Sequence, residues 1–355
     1  MITFGLMISG MLIVTPTTDV TAEDDTSFSI KAVNGTVSFD GPVNKVVSMG
    51  TAFTSTIIAL GGLESILFID TSSKSSGLEG LENFNEANEN VYPTSAGAII
   101  KQKLLAGVGG FEIDTDVVIL YSYSTSLLSA LAESGIKVLA YYPKTYDEGT
   151  SLVTDMGKLL GLESKATEIV GEMNAKKTYY EETLHENGIT EDSQKVNAIY
   201  ASYSSNVLKI GNVDSTSVIL FKIAGGINPA DDATMSGSSL TTYEPQSGML
   251  LALKGQGKLD VIFLDPYYTG TIAEFRNAMN LPEDVKIVHL TILMNTYGPE
   301  SMKGLEYMAS VMYPDIFGDS EPQDEGDKPD NTMLYVGAAI GVIVLLGAVI
   351  FIMRR

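Results

Sequence analysis

Residues Asp114–Gly161 read DTDVVILYSYSTSLLSALAESGIKVLAYYPKTYDEGTSLVTDMGKLLG, and this stretch decides the fold class. DVVILY (Asp116–Tyr121) and KVLAYY (Lys137–Tyr142) are short apolar runs with β-branched residues, the pattern of buried parallel strands. Between them SLLSALAESG repeats its apolar residues at helical spacing and ends on glycine, as a crossover helix does. Working outward, the alternation repeats in Lys45–Met49 (KVVSM), a helix TSTIIALGG and Ser65–Asp70 (SILFID) upstream. Downstream come Lys195–Tyr200 (KVNAIY), a helix near Thr216–Ala224, Asp260–Leu264 (DVIFL), Lys286–Leu290 (KIVHL) and a helix through Met302–Met312. From Thr145 to Glu186 no strand is expected. Two helical patterns lie there, the second being ESKATEIVGEMNAKKTYYEETLHENG, with Ala166, Ile169, Val170, Met173 and Leu184 near helical spacing. The expected fold is α/β: two Rossmann-like lobes with parallel sheets, an N-terminal lobe over 23–163 and a C-terminal lobe over 191–317, joined by a single long α-helix over 164–190.

The ends are built differently. Met333–Met353, MLYVGAAIGVIVLLGAVIFIM, is an uncharged run that as a helix spans roughly 30 Å, and Arg354-Arg355 follow it. It is expected to be a transmembrane helix with a cytoplasmic C-terminus. Residues 318–332 form an acidic, proline-containing tether. Residues 1–22 look like a signal peptide, with an apolar core ITFGLMISGMLIV and Ala22 as a cleavage point, or a retained anchor. These ends place the region between them outside the cell.

Composition excludes several classes. With 44 Asp+Glu against 22 Lys+Arg the formal charge is −22, the wrong sign for a nucleic-acid partner or a polybasic membrane surface. No cysteine means no disulfides, iron–sulfur cluster, thiolate nucleophile or lipid-modified N-terminal cysteine. His185 and His289 are the only histidines, so a histidine-rich metal site is out of reach, and the expectation is no metal centre and no cofactor. AGVGGFE (Ala106–Glu112) and KGQGKLD (Lys254–Asp260) match neither dinucleotide nor P-loop spacing and are read as loops. No nucleophile elbow is visible, so an enzyme is not expected.

Ligands of open α/β sheets bind outside the carboxyl ends of the strands, and two such lobes facing each other make a cleft. Tyrosine is concentrated at those positions. The candidate ligand-binding residues are Thr51, Phe53, Tyr121, Tyr123 and Tyr142 in the first lobe, and Tyr200, Tyr203, Asp265, Tyr267, Tyr268 and Tyr297 in the second. Aromatic residues suit strands in any case, so packing in the core stands beside ligand contact as a reading. As ligand contacts, phenol rings give a flat apolar face and a hydroxyl, which suits a large planar, macrocyclic or ferric-chelate ligand. The scarcity of arginine, limited to Arg276, Arg354 and Arg355, argues against a strongly anionic ligand gripped by guanidinium forks. Asp265 is equally a helix-capping residue, and His289, within KIVHL, is expected to be a satisfied structural histidine.

Four motifs in order carry a family resemblance. VNKVVSMGTAFTSTIIALGGLESILFIDTSS (Val43–Ser73), the Asp114–Gly161 segment, VILFKIAGGIN (Val218–Asn228) and YGPESMKGLEYMASVMYPDIFGD (Tyr297–Asp319) resemble the class III periplasmic substrate-binding proteins of ABC importers, the group handling iron–siderophores, haem and cobalamin. The match covers nearly all of Val37–Phe317, and the C-terminal anchor resembles archaeal practice. The resemblance implies a monomeric extracellular receptor, tied to the cell membrane by a single pass, that hands a small-molecule metal chelate to an ABC permease and its ATPase. It also implies an acidic docking residue on each lobe. Glu244 in TTYEPQSGM matches the C-lobe position, whereas the N-lobe position holds Lys101, Gln102 and Lys103, with Glu112 and Asp114 later, so that either an acid such as Glu112 substitutes or that docking contact is lost and the permease is cut differently. The alternative reading is a membrane-anchored chelate sensor not coupled to transport.

Overall fold

Buried β-branched residues nucleate the first sheet. In the computed structural model, which describes residues 27–212, 215–230, 240–242 and 246–319, the chain begins with a hairpin of β1 (Phe28–Ala32) and β2 (Gly35–Phe39). There follow β3 (Val46–Met49), α1 (Thr51–Leu60), β4 (Ile66–Asp70), α2 (Thr71–Ser75), β5 (Val91–Tyr92), α3 (Gly97–Leu105), β6 (Val117–Tyr121), α4 (Thr125–Leu131), β7 (Lys137–Tyr141) and α5 (Tyr146–Leu160). The five later strands pair in the order β5-β4-β3-β6-β7, all parallel. Val47, Met49, Val118, Leu120, Val138 and Ala140 point to one face, packed under α3 and α4 with Ile100, Leu104 and Leu127. Asp116, wholly buried, ties the amino ends of β3 and β6 together: its carboxylate accepts from the backbone N–H groups of Lys45 (2.8 Å) and Glu112 (2.8 Å).

The hairpin β1–β2 adds to the expected elements. Its turn docks on the outer strand β7, where Val33 N–H donates to the Ala140 carbonyl and the Asn34 amide bonds both the Val138 carbonyl and the Ala140 N–H, each at 2.9 Å. An exposed strand edge is thereby covered.

The 24-residue α6 (Glu163–Glu186) follows. The chain divides into two compact units, the first ending in α6 at Gly171 and the second beginning at Glu172, with residues 144–146 grouped with the second. The second unit contains β8 (Val196–Ser204), β9 (Val207–Gly211), α7 (Thr216–Ile223), β10 (Gly226–Ile227), β11 (Leu240–Thr242), α8 (Gln246–Gly255), β12 (Val261–Leu264), α9 (Ile272–Met279), β13 (Lys286–His289), α10 (Ser301–Met312) and α11 (Pro314–Phe317). Its main sheet runs β11-β9-β8-β12-β13, with β10 pairing the start of β8.

Here the all-parallel expectation is corrected. Strands β8, β12 and β13 are parallel, but β9 is reversed and pairs antiparallel with both its neighbours, β8 and β11. The reason is local: β8 continues past Tyr200 to Ser204 and turns back through Ser205 and Asn206, both with positive φ (51° and 60°), the geometry of a two-residue type I′ hairpin. Tyr200 therefore lies within β8 and does not end it.

The signal-like segment, the membrane span at 333–353, the tether beyond Asp319 and Glu244 lie outside the described residues. Among the described residues no helix is long and apolar enough to cross a membrane.

Candidate ligand-binding faces at the strand ends

In the first unit the chain lays down β3, β4 and β5 in one direction and then places β6 and β7 on the other side of β3. That reversal is a topological switch point, where the loops leaving two neighbouring strands diverge and open a crevice. The loops leaving β3 and β6 carry Gly50 and Tyr121. Phe53, on the first turn of α1, is fully buried and packs on Tyr121 (ring centroids 4.7 Å) and on Tyr141 (5.8 Å). Tyr121 stacks almost parallel on Tyr123 at 4.9 Å, and Tyr123 meets Tyr142 edge-on at 5.9 Å. The row grades from core to surface: Phe53 is buried, Tyr121 and Tyr142 are half-buried, and Tyr123 is 62% exposed. Gly50 makes the row possible. A Cβ there would lie 2.6 Å from Tyr121 and 2.8 Å from Phe53, so only glycine lets both rings close over the backbone.

Beneath this row sit the polar supports. Tyr141 donates to Asp155 at 3.1 Å, and burial pushes the Asp155 carboxyl above the usual range. Ser48, Thr54 and Ser73 form a buried hydroxyl chain (2.8 and 3.0 Å) that ends on Asp70, the N-cap of α2, whose carboxyl is also raised by burial. Thr51, the first residue of α1, is buried beside Gly50. Of the five residues expected here, Tyr121, Tyr123 and Tyr142 form one continuous partly exposed surface, Phe53 supports it from below, and Thr51 is buried at the start of α1.

In the second unit the alternation of side chains along β8 separates two residues that the sequence reading groups together. Tyr200 and Tyr203 are three apart and point to opposite faces of the sheet. Tyr203 lies on the α8–α9 side with Tyr268 and Phe275 (5.9–6.1 Å between centroids) and donates to Asn206 at 3.2 Å. Tyr268 also stacks on His289 at 5.6 Å. His289 Nδ1 is buried with no hydrogen-bond partner, so the expectation of a satisfied histidine is corrected.

Tyr200, only 3% exposed, belongs to a polar chain. Ser217 on α7 donates to the Asn295 side-chain carbonyl at 2.6 Å, and the Asn295 amide donates to the Tyr200 hydroxyl at 2.8 Å. Burial, and after it the neighbouring Asp265 carboxylate, drive the Tyr200 phenol well above the usual range. Asp265, 7% exposed, accepts from the Tyr267 N–H at 2.9 Å. The helix-cap reading of Asp265 is thus replaced: α9 is capped by Thr271, paired reciprocally with Glu274. Tyr267 is exposed at 58%, and Tyr297, before α10, is half-buried. Ser217 and Asn295 escape sequence reasoning because a lone Ser or Asn in a helix start or loop carries no signal until the fold brings it to a strand end.

Among the described residues no cluster of His, Asp and Glu is arranged to hold a metal ion. Lys101, Gln102 and Lys103 lie on α3, and Lys103 pairs with Glu89.

No family model matches the sequence, and no curated protein matches it. Solved structures do resemble the fold. Helicobacter pylori CeuE with Ni(II) bound superposes with a TM-score of 0.63 at 14% identity, over 83% of this chain and 91% of that one. The periplasmic heme-binding protein HutB of Vibrio cholerae gives 0.58 at 16% identity, over 76% and 99%. The Fe3+-hydroxamate transport protein of Saccharomonospora viridis gives 0.55 at 18% identity, over 82% and 99%. The chain has the fold of these periplasmic binding proteins.

Proposed function

We propose that this chain is the extracellular solute-binding component of an ABC importer, capturing an iron complex (a siderophore or haem) or a cobalamin and delivering it to a membrane permease. The supporting observation is the graded row Phe53–Tyr121–Tyr123–Tyr142 at the switch point, a ready π-surface for a flat or macrocyclic ligand. The fold likeness to proteins named for heme and Fe3+-hydroxamate supports the same reading. In this proposal Tyr121, Tyr123 and Tyr142 are the ligand-contacting residues of the first unit and Asp265, Tyr267 and Tyr297 those of the second, with Tyr200, Tyr203 and Tyr268 beside them. The protein acts as a monomeric receptor and not as an enzyme, residues 333–353 anchor it with the C-terminus in the cytoplasm, and Glu244 docks the permease with Glu112 as the N-lobe partner.

The test is a thermal-shift panel on the full chain with ferric siderophores, haem and corrinoids. A ligand at 100 times its dissociation constant stabilises by roughly 2.7 kcal/mol, which is readily seen as a higher unfolding temperature. A blank across the panel overturns the proposal. A second reading, a chelate sensor not coupled to transport, is favoured by the lysines on α3, where the family resemblance implies an acid. Loss of uptake in Glu244→Ala with binding intact separates transport from sensing.

A further inference from the structure

Three features of the strand-end faces share one electrostatic sign. The first is Asp265. Its carboxylate, only 7% exposed, accepts from the Tyr267 N–H at 2.9 Å, one donor for a group with about four acceptor positions. Beside it Ser217 donates to Asn295 and Asn295 to Tyr200, so the Tyr200 ring next to the carboxylate is fixed by an oriented chain. The segments closing this end of the sheet, 200–206 (YASYSSN), 265–271 (DPYYTGT) and 289–299 (HLTILMNTYGP), contain no lysine or arginine to neutralise the carboxylate.

The second is the tyrosine row of the first unit, whose ring faces carry the negative side of the aromatic quadrupole and attract cations. The third is the whole chain at −22, which raises the local concentration of cations and repels anions at long range.

We infer that the ligand is a chelate or macrocycle bearing a cationic group such as an ammonium, whose hydrogen bond the Asp265 carboxylate accepts. The inference rests on the solute-binding reading above and narrows it: strongly anionic chelates are excluded, and Asp265 is the residue that sets the charge preference. Asp265→Asn keeps the size of the side chain and an oxygen to accept from the Tyr267 N–H, but removes the charge.

The experiment measures affinities of the full chain, purified in detergent, for a matched pair of ferric hydroxamates, one with a pendant ammonium and the other with that amine acetylated. A ferric catecholate of high negative charge, haem and a corrinoid complete the set. The expected result is about tenfold tighter binding of the ammonium form than the acetylated form, the size of one charge-assisted hydrogen bond, with the difference abolished in Asp265→Asn. Equal affinity of the pair in the unmodified chain, or preference for the catecholate, overturns the inference and leaves solute binding standing. Binding of haem or the corrinoid with no binding of either hydroxamate does the same. If nothing in the set binds, the solute-binding reading falls and the inference falls with it. The comparison within the pair needs no variant, so a poorly folding Asp265→Asn does not blunt it.

Discussion

Gly50 and Asp155 carry opposite kinds of constraint on the same tyrosine row. A methyl group at Gly50 would overlap Tyr121 and Phe53, and overpacking of this sort costs about 1–3 kcal/mol. Gly50→Ala is expected to destabilise the fold by that amount in urea unfolding and to displace Tyr121, readable as changed near-ultraviolet circular dichroism. Asp155 is a matter of charge. Burial raises its carboxyl, so the folded state holds the proton more tightly than the unfolded state does. The ionised form therefore destabilises the fold at neutral pH, and the penalty fades as pH falls through the raised range to the ordinary carboxylate range. Asp155→Asn, which still accepts from Tyr141, is expected to be more stable than the parent at about pH 7 and to lose that advantage near pH 3 in parallel urea titrations. Tyr200→Phe leaves the Asn295 amide without its acceptor, with an expected loss of about 1–3 kcal/mol.

At the scale of elements, α6 and the start of β6 stand out. A Cβ added at Gly171 on α6 meets nothing within 4 Å. Glycine inside a helix costs roughly 0.5–1 kcal/mol against alanine. Gly171→Ala is expected to raise stability by about that much, measured by thermal unfolding. Asp116 is the opposite case, a side chain that cannot be spared. Its carboxylate accepts from three backbone N–H groups, of Asn44, Lys45 and Glu112, so Asp116→Ala leaves three part-buried donors without their acceptor, at a cost of about 1–3 kcal/mol in all. The elements themselves are largely legible in the sequence. The runs Val117–Tyr121, Val261–Leu264 and Ser301–Met312 fall within a residue or so of their expected limits, because apolar periodicity is a local property. Strand β9 is not legible. Its sequence VLKIG is short and follows Ser-Asn instead of Asn-Gly, a weak hairpin signal.

For the whole molecule the charge of −22 outweighs any single ion pair. Self-repulsion of this size opposes compaction, and raising ionic strength from 0.01 to 0.15 M shortens the screening length from about 30 to about 8 Å. The unfolding temperature is expected to rise across that interval; a flat response would mean that the acidic residues are spaced too widely to repel. The sequence by itself determined the α/β alternation, the long helix between two strand series and the tyrosine enrichment, since each rests on residues close along the chain. It left the tyrosines as one group. Only the tertiary structure decided that Phe53 lies under Tyr121, that Tyr200 and Tyr203 leave β8 on opposite faces, and that Ser217 and Asn295 share one hydrogen-bonded chain with Tyr200. Those relations join residues as far as 95 positions apart, and strand register and loop closure, which set them, are products of the packed sheet and not of any local pattern.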